Sequence, residues 1–342
     1  MNRRALLSAA AGALVSACAS GGGRSEAETA MAPVVRAGFT GSVLVACGAG
    51  IVFARDYGVS DPAGRTPSYW VASISKQFTA AAALRLRELG RLRLEQPIAD
   101  FFPDAPEEKR AITLMQLMTH RSGLQQVYAA DGVADRAGAV RRILAGALGE
   151  APGARFRYSN DNYTLVAAII EIVAGEPFET VVAREAFARA ELQQAGFWPH
   201  AGGDFLPPLM APIEEAEIRA ANWGFRGGTG MRCSVPDLHR WVAALDEGRV
   251  LTPESLALLY GPHVRAGDGV GFNWFHSRDA AGRALLWTRG TESYGANAIL
   301  YRAAGTPLII AAATHAGPAE GDGWSRRARD VLLAAYPGAP CG

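Results

Sequence analysis

The spacing of apolar residues changes period twice along the 342-residue chain. Residues 40–47 and 51–57 are apolar, partly alternating runs split by Gly48-Ala49-Gly50, which predicts a hairpin. From 73 to 89 the apolar positions recur at helical spacing and stop at Gly90, a glycine suited to a C-terminal cap. Further helical patterns cover 113–119, 136–148, 162–174 and 178–190. Ser234-Val235-Pro236-Asp237 opens another, with Ser as the cap and Pro just inside. Beyond Pro262 the strand period returns over 270–276, 284–288, 296–302 and 307–314, and an amphipathic helix closes the chain at 324–336. Strands at both ends with helices between them predict an α+β fold. One antiparallel sheet, built from 35–72 and 262–342 and flanked by helices, would carry a mostly helical insertion at 73–261. The cleft between the two parts is the natural site.

Composition narrows the class. Apolar residues make up 49%, charged residues 20%, and the net charge is +1, so there is ample surface for a core and no basic block for nucleic acid. A small-molecule partner is expected. The six His residues are scattered without a His-Glu-x-x-His pair, and Gly227-Gly228-Thr229-Gly230 lacks the setting of a phosphate loop, so neither metal nor cofactor is expected. Residues 1–18 read as an export signal: Arg3-Arg4, then an apolar stretch too short for the roughly 20 residues of a membrane span. Val15-Ser16-Ala17-Cys18 resembles a lipobox, which would lipidate Cys18 and anchor an exported protein to a membrane of the cell envelope or periplasm. Ordinary cleavage after Ala19 fits the same residues, and the Arg pair leaves general and twin-arginine export both open. Residues 19–34, rich in Gly, Ser and Glu, read as a flexible tether. Cys47, Cys233 and Cys341 then remain, enough for one disulfide with one thiol left over.

Of the 34 basic residues, 32 are Arg and only Lys76 and Lys109 are Lys. Lysine, unlike arginine, can lose its proton when buried and act as a base. Ser73-Ile74-Ser75-Lys76 opens the first long helix, and residues three apart share a helix face, so the hydroxyl and the amine can meet. Such a pair supplies a nucleophile with its base, beside helix N–H groups able to hold an oxyanion. The bland alternative is a Ser cap followed by a solvated Lys.

Ala72-Ser73-Ile74-Ser75-Lys76-Gln77-Phe78-Thr79, preceded by 39–45, resembles the serine β-lactamase and penicillin-binding-protein-like superfamily, in its class C β-lactamase and esterase branch. Leu117-Met118-Thr119-His120-Arg121-Ser122-Gly123-Leu124, Pro152-Gly153 and Tyr158-Ser159-Asn160 follow in the family's order. The resemblance implies that Ser73 is the acylated nucleophile, Lys76 its base and Tyr158 a proton relay. Asn160 would bond Lys76 or the substrate, and His120 would shape a loop. The family's third element, Lys-Thr-Gly or His-x-Gly, aligns with Trp287-Thr288-Arg289-Gly290. There Trp287 stands for the cation and Arg289 for the first Gly, Thr288 keeps a hydroxyl, and Gly290 fits the second oxyanion N–H. Loss of the cation puts recognition of a substrate carboxylate, as β-lactams carry, in doubt, with two readings of Arg289 open: it resupplies the charge from a neighbouring position, or it fills the cleft. The expectation is an exported serine hydrolase of esters or amides, of esterase or D-amino-acid peptidase type, with weak or no β-lactam hydrolysis. The alternative is a lipid-anchored binding or sensing module with an impaired site.

Overall fold

The two apolar runs near the start form the expected hairpin, β1 (Gly41–Cys47) and β2 (Gly50–Tyr57), with a bulge between Val45 and Ala46. The computed structural model describes residues 21–60, 64–197, 222–264, 269–279, 282–292, 295–303, 306–317 and 323–336. From the other end of the chain come β6 (Phe275–Arg278), β7 (Ala284–Thr291), β8 (Asn297–Ala303) and β9 (Leu308–Thr314). They join the hairpin in one antiparallel sheet ordered β2-β1-β9-β8-β7-β6. The α+β architecture with a sheet drawn from both ends is therefore present.

Alternation along β1 and β9 shows why the sheet needs two covers. Val43, Val45, Ile310 and Ala312 face one apolar cluster, while Leu44, Ala46, Ile309, Ala311 and Ala313 face another. Helices α1 (Gly21–Arg36) and α9 (Trp324–Ala335) cover the first face. Helix α7 (Val235–Asp246) and the helical insertion cover the second. The tether expectation is corrected here. Ala27, Met31 and Val34 recur at i, i+4 and i+7 and are buried against the sheet and α9, so the apolar stripe prevails over the Gly/Ser-rich composition. The expected signal segment, with Cys18, lies outside the described residues. Cys47 is disulfide-bonded and Cys233 is a free, buried thiol; Cys341 is also outside the described residues.

The insertion is organised around α2 (Ser75–Glu88), buried over nearly its whole length, and α5 (Asn160–Ala174), buried from Asn160 to Ile170. Around them pack α3 (Leu114–Met118), opened by a Thr113/Gln116 capping box, α4 (Arg136–Ala145), and α6 (Phe178–Val182) with its π-turn Ala183–Phe187. The predicted Ser234 cap accepts the Asp237 N–H. Helix α8 (Pro253–Tyr260) was not anticipated, although Thr252 caps it and Pro253 occupies its first turn. A second, small sheet pairs β3 (Ser68–Trp70) with β5 (Met231–Ser234), and β5 with β4 (Gly196–Phe197). Its consequence is positional: β3 delivers the chain to Ser73 alongside the turn at 227–230.

Candidate active site

Ser73 sits on a 3-10 turn, Ala72–Ile74, that runs directly into α2. Ala72 before it has φ 47°, a left-handed conformation that costs an alanine about 1–2 kcal/mol. The surroundings hold it there. Trp70 N–H donates to His315 Nε2 (2.8 Å), Val71 N–H to Met231 O (3.1 Å), and Asn273 Nδ2 to Ser73 O (2.8 Å). The cap of α2 is Ile74, without a side-chain bond, so Ser73 is not spent on capping.

Lys76 is fully buried. Its Nζ lies 3.0 Å from Ser73 Oγ, 2.6 Å from Asn160 Oδ1 and 2.9 Å from Gly228 O, over the faces of Tyr158 and Tyr163. Burial lowers its pKa to about 7, with the Glu292 carboxylate pulling the other way. As an ammonium it satisfies all three neighbours. As an amine it has two N–H bonds for two obligate acceptors, Asn160 Oδ1 and Gly228 O. The lone pair is then left for the Ser73 hydroxyl. Lys109, the other lysine, is buried in an ion pair with Glu108 (2.6 Å) away from this group.

Tyr158 donates its hydroxyl to Ser73 Oγ at 2.8 Å. Burial pushes the phenol well above its usual range, so it is a neutral donor and not a phenolate base. Its ring stacks on His120 at 4.4 Å. Nδ1 of His120 takes the Ser159 N–H at 3.2 Å and meets the Asn162 amide at 3.1 Å, and burial holds the ring neutral. His120, at φ 54°, thus shapes the 120–124 loop and fixes Tyr158.

The third element departs from the expected assignment. Thr288 is fully buried, and its Oγ1 accepts from Asn273 Nδ2 (3.0 Å). Gly290 lies on the same strand face, pressed on the nucleophile turn; a Cβ there would stand 2.0 Å from Val71 O and 2.8 Å from Ser73 N. Trp287 and Arg289 point to the opposite face, where Trp287 stacks on Phe275 at 4.7 Å. The residue in the inward place two before the close-packed glycine is therefore Thr288, not Trp287. The N–H directions shift likewise. Glu292 N–H donates to Ala296 O (2.9 Å), so the even-numbered residues of β7, Gly290 included, bond to β8. The Thr291 N–H points off the other edge, which β6 leaves uncovered beyond Trp287.

Ser73, Tyr158, Asn160, Trp287, Arg289 and Thr291 line one cavity of about 320 Å³, completed by Tyr128, Asn273, Phe275 and Glu292. A larger cavity, about 560 Å³, lies against α9 and includes neither Ser73 nor Lys76. Glu292, Asn273, Gly228 and Thr291 are the participants not anticipated. Glu292 follows from β7 alternation, two places past Gly290. Asn273, held at φ 60° in a loop, carries no local signal. Among the described residues no group of three or more His, Cys, Asp or Glu is placed to hold a metal.

A family model for Beta-lactamase matches residues 31–335. The chain belongs to the beta-lactamase family. Among curated relatives, the putative penicillin-binding protein PbpX of Bacillus subtilis is 25% identical over 69% of this chain, which spans only 62% of that relative's length. The penicillin-binding protein of Bacillus halodurans superposes with a TM-score of 0.74 at 20% identity, over 91% of this chain and 100% of that one. The D-amino acid amidase of Ochrobactrum anthropi superposes at 0.75 with 17% identity, over 92% and 98%. The two superpositions show a shared fold.

Proposed function

We propose that the protein hydrolyses esters or amides through an acyl-enzyme on Ser73. The observation that carries this reading is the wiring of Lys76, whose two obligate acceptors direct its lone pair at Ser73 Oγ. Lys76 takes the Ser73 proton as the oxygen attacks the carbonyl. The N–H groups of Ser73 and Thr291 receive the developing oxyanion. Tyr158, 2.8 Å from the same oxygen, passes a proton to the departing amine or alkoxide and is reprotonated at the expense of Lys76. Water then enters, loses its proton to the same groups and releases the acid.

The place two before Gly290 holds neutral Thr288, so no cation from that position meets a substrate carboxylate, and β-lactam turnover is weak or absent. An amidase reading draws support from the D-amino acid amidase among the structural neighbours. The test is fluorophosphonate labelling of the purified protein with peptide mapping and a Ser73→Ala control, followed by turnover of simple esters and amides. An adduct on Ser73 and catalytic turnover are expected. An intact, folded protein without adduct contradicts the reading, and adduct without turnover of any substrate favours a binding or sensing module.

A further inference from the structure

The cleft holds a carboxyl group that the hydrolytic steps do not use. Glu292 follows Thr291 just past the end of β7, lines the Ser73 cavity and is half-buried there. It is hydrogen-bonded to Thr229, the neighbour of the residue whose carbonyl holds Lys76.

We propose that Glu292 selects acyl donors that carry an ammonium group beside the scissile carbonyl. This rests on the reading of Ser73 as the nucleophile. Glu292 stands one residue from the Thr291 N–H assigned to the oxyanion, so a group it holds lies close to the carbonyl carbon. Only a compact acyl chain fits a cavity of about 320 Å³. The charge balance points the same way. The charges acting on Glu292 are Lys76 and a second carboxyl, Asp131, and burial raises Glu292 to about 7. Burial likewise raises Asp131, and raises Asp161, on which Asp131 acts, to about 6. When Glu292 ionises alone it favours the protonated form of Lys76, which is the wrong form for a base. A substrate ammonium pairs with Glu292 and removes that bias, so the same contact anchors the substrate and frees the amine. Arg289, which lines the same cavity and whose charge acts on Tyr158, is the rival feature: it would favour a carboxylate instead.

The test compares methyl esters on one skeleton: phenylalanine methyl ester in each hand, methyl 3-phenylpropanoate, and the analogue with a carboxylate in place of the amine. The wild-type protein should favour one hand of the ammonium ester over the plain ester by about tenfold or more in kcat/KM, the scale of one charge-assisted contact. That ratio should fall towards one in Glu292→Gln and persist in Glu292→Asp. A wild-type ratio near one, a ratio that survives in Glu292→Gln, or a preference for the carboxylate overturns the proposal. The wild-type ratio needs no variant, so a substitution that fails to fold leaves the test decisive. Hydrolysis of no ester together with no adduct on Ser73 would overturn the serine-hydrolase reading instead.

Discussion

Lys76 is buried with one hydroxyl and two carbonyl oxygens around its Nζ, and this fixes which way its lone pair faces. The expected pH dependence follows from its sign. A lysine whose pKa burial lowers to about 7 is mostly ammonium below that value and mostly amine above it. Acylation of Ser73 should therefore rise as pH increases through about 7 and then level off, since Tyr158 stays neutral throughout. Glu292 titrates in the same window, so the apparent midpoint belongs to the pair and not to Lys76 alone. Stopped-flow labelling across pH 5 to about 9 checks it, and a rate that falls through this range would rule out a neutral amine base. Ser73 and Lys76 were legible because a chain with only two lysines placed one of them three residues after a serine at a helix start. Asn273 and Gly228 were not: one acts by its side-chain amide and the other by its carbonyl, from loops some 200 and 150 residues away, which no local pattern encodes.

At the scale of elements, β7 shows what alternation decides and what motif alignment alone misses. Placing Trp287 at the cation position ignored the requirement that the close-packed glycine and the inward side chain two places before it share a face. With Gly290 against Val71 O and Ser73 N, that partner is Thr288. The glycine is needed for its lack of a side chain. Gly290→Ala would force a Cβ to within 2.0 Å of Val71 O, and relief requires the strand to move away from the nucleophile turn. The expected result is at least a hundredfold loss in Ser73 labelling rate, since a displacement of about 1 Å costs that much in a positioned site. Circular dichroism should show the sheet retained. Labelling within a few-fold of wild type would mean the Thr291 edge does not bound the oxyanion site. The helices were read well where caps and periodicity agreed, as at Thr113, Ser234 and Gly175. Helix α8 was overlooked because its eight residues span barely two turns, too few for a periodic signal.

For the whole molecule, the first and last described elements meet. Strand β1 pairs with β9, and α1 packs on α9 over the same sheet face. The run read as a tether is thus part of the core, and its composition misled because three buried positions are enough to dock a helix. Met31 is fully buried in that layer. Met31→Ala should lower stability by about 2–5 kcal/mol, as other large-to-small core changes do. Chemical denaturation measures this directly, and a variant as stable as wild type would restore the tether reading. The fold class was legible because strand periodicity at both termini admits few ways of closing a sheet, whereas the path that brings β3, the 227–230 turn and β7 around Ser73 is set only by tertiary packing.

The central claim, that neutral Lys76 is the base for Ser73, is tested most directly by the rate of fluorophosphonate labelling in Lys76→Arg. Arginine keeps the charge and much of the reach but does not release its proton. The account predicts a folded variant whose labelling rate is lower by about a hundredfold or more, the usual share of a general base. Labelling of Ser73 within a few-fold of the wild-type rate would contradict it.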